Sequence, residues 1–384
     1  MTSICNNLLI ATSQQWSVYE FIVRNWAMLT IIATVIATIG ICTLVIGRYV
    51  KIMLNILKDT PPPLAMGPMD FQRIEGQIVR FRAFDGTSLR GMFLWANQSV
   101  PRKGIIMFCH EFSSDMYSCA RYCRQFLDVG YDIFTFDFRG HGESSSEEGY
   151  QPRQWVSDRE IDDTLGAIAF VEDYLESQNL PIELGMFGIS RGAGAAIIAS
   201  MHNPAIKAIV TDGLFSTDLT IEALMKKWAS IFAKVRFVYE NHPPIFWRFL
   251  RWVVFIFVHR QFNCYYPSVK KALIHMTPRP IFMIHGQRDS YISTEQAKHL
   301  FSLLKEPKEL WIVKSAKHNQ AVIVEPQQYK QKTIDFFDKY LAHSDTAIDS
   351  IDNFSENASD SSNSCNIKNI DNSNVANQNI ARGA

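Results

Sequence analysis

The 384-residue chain has no excess of charge of either sign, with Lys+Arg and Asp+Glu both at 38. It also lacks a long basic run, so nothing in it offers nucleic acid an electrostatic footprint. Its seven cysteines, at positions 5, 42, 109, 119, 123, 264 and 365, show no Cys-x-x-Cys spacing. That argues against a thiolate metal site and against a disulfide framework, and leaves free thiols as the expectation. There is no His-Glu-x-x-His pair to suggest zinc and no Gly-x-Gly-x-x-Gly turn to suggest a dinucleotide. No internal repeat is visible. No metal and no cofactor are expected.

A further absence is local. Trp26 to Gly47 contains no charged residue and is rich in Ile, Ala, Thr and Val. As a helix rising ~1.5 Å per residue it would extend ~33 Å, enough to cross a hydrocarbon core. It starts too late and runs too long for a cleaved signal peptide. The expectation is an N-terminal segment over 1–25 and a single membrane-spanning helix over 26–47. Before that stretch lies Arg24, with Glu20 nearby; after it come Arg48, Lys51 and Lys58. The positive-inside rule therefore puts the following domain in the cytoplasm. Thr60-Pro-Pro-Pro-Leu-Ala-Met-Gly-Pro reads as a stiff spacer, giving a Pro-rich linker over 48–70. Beyond Ser344 the composition turns to Asn, Ser and Asp, as in Asn353-Phe-Ser-Glu-Asn-Ala-Ser-Asp. Such a segment buries too little apolar surface to offset chain entropy, so 344–384 reads as a disordered tail.

The residues between, 71–343, alternate strand and helix signals. Gln77-Ile-Val-Arg-Phe and Leu89 to Trp95 flank Asp85-Gly86, which reads as a hairpin. Continuous apolar runs follow at Ile105–Cys109, Ile133–Asp137, Leu184–Ile189, Ile206–Thr211, Pro280–His285 and Leu310–Lys314. Helical patterns separate them, at Tyr117–Val129 and Val156–Leu175 among others. Unbroken apolar strands alternating with helices indicate a mainly parallel sheet covered on both faces, an α/β fold. The regularity fails between Asp212 and Met276, where Leu219–Val238 looks helical and 241–260 is densely aromatic. That insertion, about 214–268, is expected to cap the site, with Phe246, Trp247, Phe249, Trp252, Phe255 and Phe257 presenting an apolar channel.

The chemistry concentrates at three strand ends. Gly188-Ile-Ser190-Arg-Gly192 falls between the apolar run ending at Ile189 and a small-residue helix from Ala193. This Gly-x-Ser-x-Gly pattern puts a serine hydroxyl on a sharp strand-to-helix turn and aims the first helix amides at an attacked oxygen. A serine needs a base to take its proton, and the base needs a third group to orient it. Asp289, after Pro280-Ile-Phe-Met-Ile-His-Gly-Gln-Arg, and His318, after Leu310-Trp-Ile-Val-Lys-Ser-Ala-Lys, supply both at the C-terminal ends of strands. Asp212, at the end of an earlier strand, is the rival acid, and Asp289 is preferred.

Over roughly residues 75–342 these motifs resemble the α/β-hydrolases, in the branch of serine esterases, lipases and serine aminopeptidases. The chain order Ser, Asp, His is the family's. The resemblance implies a nucleophile at Ser190, a base at His318 and an acid at Asp289. It also implies an oxyanion hole from the backbone N–H groups of Phe112 and Arg191. Glu111 departs from the family's His-Gly-aromatic pattern at His110-Glu111-Phe112, which puts the shape of that loop in question. Asp137-Phe-Arg-Gly-His-Gly-Glu-Ser144 resembles a structural, turn-forming loop of the same branch, and the Arg191 side chain is read as packing. The implied activity is hydrolysis of an ester through an acyl-enzyme, with thioester hydrolysis, acyl transfer and amide or peptide hydrolysis as alternatives. A non-catalytic membrane-tethered module is the reading from another class. The expected partners are a small ester or acyl substrate and the membrane.

Overall fold

The computed structural model describes residues 2–59, 74–232 and 243–342, without the side chains of residues 2–18, Glu20, Asp59 and 231–232. The Asn/Ser-rich segment 344–384 and most of the Pro-rich stretch lie outside the described residues. The chain enters as one helix, α1 (Thr2–Asp59). Within its Phe21–Lys58 part the most apolar 18-residue window has a mean hydropathy of 2.5, yet no residue of that window is buried by the rest of the protein. The threonines of the apolar stretch return their hydroxyls to the helix. Thr34 Oγ1 donates to the Thr30 carbonyl, Thr38 Oγ1 to that of Thr34 and Thr43 Oγ1 to that of Ile39, each at 2.8 Å. A helix that satisfies its own polar groups while exposing apolar side chains is suited to hydrocarbon rather than water. Length and composition make this helix fit to cross a membrane.

α1 does not stop where a linker was expected. It runs to Asp59, so 48–59 is helix in place of spacer. The reason is packing: Val50, Met53 and Leu57, three and four residues apart, lie on one face and are 3 %, 0 % and 2 % exposed. Tyr49 Oη adds a hydrogen bond of 2.6 Å to the Met225 carbonyl. Segment 1–25 is likewise helical from Thr2.

After residue 73 the chain builds an eight-stranded sheet in the order β1-β2-β4-β3-β5-β6-β7-β8. β1 (Gln77–Arg82) and β2 (Ser88–Leu94) form the antiparallel hairpin, paired from Gln77–Phe93 to Arg82–Ser88. β2 is also antiparallel to β4 (Tyr131–Phe136). The strands β3 (Gly104–Cys109), β4, β5 (Leu184–Ile189), β6 (Ile206–Asp212), β7 (Ile281–Gly286) and β8 (Lys308–Val313) run parallel. Every residue of β4, β5 and β7 is buried, as continuous apolar runs between helical layers demand. Where one helix was expected over Tyr117–Val129, a 3₁₀ turn at Met116–Ser118 leads into two short helices, α2 (Cys119–Tyr122) and α3 (Arg124–Leu127).

α4 (Asp158–Ser177), opened by a Ser157–Glu160 capping box, and α5 (Arg191–Ala199) pack into one core. The second core, on the opposite face, takes α11 (Pro326–Tyr340). The short α10 (Ala321–Val324) precedes α11, and α9 (Thr294–Leu303) joins β7 to β8. The insertion after β6 folds as α6 (Thr217–Phe232) and α7 (Pro244–Phe262), followed by α8 (Val269–His275) on the main core. α6 and α7 meet the end of α1 in a third cluster containing Met53, Leu57, Trp155, Phe215, Met225, Trp247, Leu250 and Val254.

Burial of each large apolar side chain in that cluster is worth roughly 1.5–3 kcal/mol. Met53→Asp would put an unpaired carboxylate into it, and a chain beginning at Pro61 would remove one wall altogether. Both should lower the melting temperature by several degrees or produce aggregates, whereas a chain beginning at Leu44 keeps wild-type stability in detergent. Equal melting curves for all three would show that α1 does not support the cap.

Candidate active site

Ser190 occupies the turn between β5 and α5 with φ 51° and ψ −113°, a left-handed conformation that costs a non-glycine residue strain. The turn closes only because the residues two positions away on either side carry no side chain. A Cβ on Gly188 would come within 2.5 Å of Ala193 Cα, and one on Gly192 would collide with the Cys109 carbonyl. The Ser190 amide is tied to the Asp212 carbonyl at 2.8 Å, which joins the turn to the end of β6.

From this turn Ser190 Oγ reaches His318 Nε2 at 2.8 Å. His318 Nδ1 lies 2.6 Å from Asp289 Oδ2. The other carboxylate oxygen of Asp289 accepts the amides of Tyr291 and Ile292 at 2.8 and 2.9 Å, so the acid is fixed before it meets the ring. Burial raises the Asp289 pKa, but the hydrogen bond and charge of His318 outweigh it and hold the carboxyl below its ordinary value. With an ionised Asp289 on Nδ1, the neutral ring carries its proton there and leaves Nε2 free to accept from Ser190.

Asp212 is not part of this chain. Its carboxylate accepts from Tyr329 Oη at 3.1 Å. Burial pushes its pKa up to about 7, with the Asp289 and Glu111 carboxylates adding to the rise and Tyr329 and His318 opposing it.

The loop after β3 is held by His110. Its Nδ1 donates to the Glu111 carbonyl at 2.6 Å and its Nε2 accepts from the Phe138 amide at 3.1 Å. Burial is the main cause of a His110 pKa near 3, so the ring is a neutral structural pin. Glu111, where the family pattern has glycine, is 4 % exposed and faces Ser118 Oγ at 3.4 Å; burial raises its pKa. The loop accommodates the Glu111 side chain by burying it against Ser118. Phe112 lines the same cavity as Ser190 and His318. Arg191 opens α5, where the first amides have no partner within the helix. Its guanidinium is fully buried, 3.4 Å from Glu160, 3.1 Å from the Arg153 carbonyl, and 5.3 and 5.1 Å from the ring centroids of Phe112 and Phe138.

The Asp137–Ser144 loop is structural. Asp137 accepts from the amides of Met116 and Glu143, and Arg139 is buried against Asp163 and Asp85. The Arg191 guanidinium meets His141 of this loop at 3.3 Å, which braces the elbow from behind.

The cavity has a volume of about 330 Å³. Ser190, His318 and Phe112 form its floor; Phe215, Thr220, Leu224, Lys227 and Trp228 come from the cap, and Ile56 from α1. The aromatic residues of α7, expected to shape a channel, do not line it. Trp247 is buried in the third cluster, while Phe249, Trp252 and Phe257 are exposed. Trp155, Trp228 and Tyr291 were not singled out as site residues. Only Tyr291 carried a sequence signal, its place two residues after Asp289. Among the described residues no cluster of His, Cys, Asp and Glu could hold a metal ion.

Residues 100–241 match the family model described as Serine aminopeptidase, S33. YfhR of Escherichia coli K12 is 24 % identical over 268 residues, which cover 68 % of this chain and 80 % of YfhR. YqkD of Bacillus subtilis is 23 % identical over 287 residues, covering 70 % and 81 %. Among solved structures the Pyrococcus furiosus esterase Pf2001 is similar, with a TM-score of 0.51 and 22 % identity, over 73 % of this chain and 96 % of that one. The fold is the α/β-hydrolase fold, and residues 100–241 are similar to the serine aminopeptidase family.

The raised pKa of Asp212 makes a prediction about stability. In the unfolded chain its carboxyl ionises near ~3.9, and in the folded chain near about 7. Between those values the folded state binds more protons, so the contribution of Asp212 to stability falls as pH rises from ~4 to ~7. Asp212→Asn should flatten the wild-type decline of urea midpoint across that window. An unchanged slope would remove Asp212 as its source.

Proposed function

We propose that the protein is a membrane-anchored serine hydrolase that cleaves esters of apolar acyl groups through an acyl-enzyme on Ser190. The observation that carries this reading is the hydrogen-bonded series Ser190–His318–Asp289 opening into a mostly apolar cavity. In this mechanism His318 Nε2 takes the Ser190 proton as Oγ attacks the ester carbonyl carbon. Asp289 holds the Nδ1–H and stabilises the imidazolium. The amides of Phe112 and Arg191 donate to the tetrahedral oxyanion. His318 then protonates the departing alcohol, and water repeats the sequence to release the acid and restore Ser190.

The cavity also supports an ester over the N-terminal amine of a peptide. An aminopeptidase needs a negative partner for the substrate ammonium, and among the described residues that line the cavity there is no carboxylate, while Lys227 brings a positive charge. The apolar span of α1 supports an integral membrane protein. Arg48, Lys51 and Lys58 beyond the span support a cytoplasmic hydrolase domain.

Ser190→Ala should abolish labelling by a fluorophosphonate and lower kcat for a short soluble ester by ~10³-fold or more. Asp289→Asn should cost far more activity than Asp212→Asn. Labelling that survives Ser190→Ala, or the reverse ranking of the two asparagine variants, would overturn the assignment.

The cavity wall predicts acyl preference. Leu224→Trp should reduce kcat/KM for octanoyl esters at least tenfold more than for acetyl esters. A uniform change across chain lengths would mean that the acyl group does not occupy this space.

A further inference from the structure

α7 is apolar on two opposite faces. One face, with Trp247, Leu250, Val254 and Val258, is buried against α1 and α6. On the other side Ile245, Phe249, Trp252 and Ile256 fall three or four residues apart and form a single stripe. Ile245 is 65 % exposed, Phe249 49 % and Trp252 60 %. Arg248 and Arg260 are also exposed, and helical spacing sets them at the two edges of the stripe. A helix apolar on opposite faces belongs in a core or in lipid, and among the described residues this one packs on protein through one of them only. Exposed contiguous aromatic surface on a soluble domain marks an interaction site.

The position of α7 says what covers that stripe. The residues of α1 that join the third cluster begin at Ile46, inside the apolar span, and continue through Tyr49, Val50, Met53 and Leu57. At ~1.5 Å per residue, Leu57 is ~15 Å beyond Gly47, and Ile56, in the cavity wall, ~14 Å. The polar layer on each side of a bilayer is ~5–8 Å thick. α7 therefore packs on α1 where that helix leaves the hydrocarbon and crosses the headgroups. Aromatic rings edged by arginines suit that layer, with the rings in the acyl boundary and the guanidinium groups beside phosphates.

We propose that the exposed face of α7 docks on the lipid bilayer, that docking holds the mouth of the Ser190 cavity at the membrane surface, and that the substrate is a membrane-resident lipid ester. The proposal rests on the reading of Ser190 as nucleophile and of α1 as the anchor. Ile56 ties the three parts together, since one helix both carries the apolar span and walls the cavity. The cap is then a platform fixed to the membrane.

The test uses the full chain in phosphatidylcholine vesicles. In vesicles of phosphatidylcholine with brominated acyl chains, the tryptophan emission assigned to residue 252, taken as wild type minus Trp252→Phe, should fall by at least half. The Phe249→Ser/Trp252→Ser double variant should lower turnover of a vesicle-borne diacylglycerol at least tenfold relative to turnover of a soluble acetyl ester by the same preparation. Fluorophosphonate labelling of the variant checks its fold. Unquenched Trp252 emission would overturn the docking. An unchanged ratio of the two turnovers would overturn the lipid substrate. A dimer in detergent that the double variant abolishes, together with unquenched emission, would give the face to a second copy of the chain. Absence of both labelling and soluble-ester turnover in the wild-type chain would instead sink the serine hydrolase reading, while the quenching still decides the docking. Release of the wild-type chain from vesicles by carbonate would sink the anchor, and the docking with it.

Discussion

The turn at Ser190 is the constraint around which the rest is arranged. A residue with a Cβ held at φ 51° persists only if its surroundings leave it no alternative. Here β5 enters from a fully buried sheet centre, α5 leaves into the main core, and Gly188 and Gly192 let neighbouring backbone approach where side chains would collide. The Asp212 carbonyl on the adjacent strand and the His141–Arg191 contact hold the turn from two further directions. The geometry of Ser190 thus draws on both cores and on three loops distant in sequence.

Electrostatic sorting of the buried acids follows from the same packing. Asp212 ends β6 and Asp289 follows the adjacent β7, and both feel the His318 ring, yet their pKa values move in opposite directions. Asp289 accepts two amides and the imidazole, all of which favour its ionised form. Asp212 has the Tyr329 hydroxyl and little else to offset its burial. Two carboxylates so close could not both remain charged cheaply, and the hydrogen bonds decide which one does.

Much of this was readable from the chain alone because the signals are local. Apolar runs revealed the strands; Ser190 directly follows one, and Asp289 and His318 each follow another within a short loop, so a parallel sheet brings them to one edge. The preference for Asp289 over Asp212 rested on a loop pattern, and the ring contact in the structure lies with Asp289. What was not legible depends on distant pairing. The Val50, Met53, Leu57 spacing has meaning only beside Trp247 and Val254, some two hundred residues on, and the nearby proline run drew the linker boundary too early. The aromatic density of α7 suggested a channel, but composition does not say which face of a helix points inward. The division of labour between α6, which lines the cavity, and α7, which supports it, belongs to tertiary structure.

The continuity of α1 sets a condition on which bonds can be reached. An unbroken helix to Asp59 puts no pivot between the apolar span and Ile56, so the cavity cannot swing as it would on a loose tether. On the proposed reading of α1 as a membrane anchor, such a post would keep the Ser190 hydroxyl at one height above the acyl chains, while the protein would be free to drift in the plane. Two esters of identical chemistry would then differ as targets if their carbonyls ride at different levels along the membrane normal. Vertical position would then become a selection rule written into the length of a helix, independent of how well either acyl group fits the cavity.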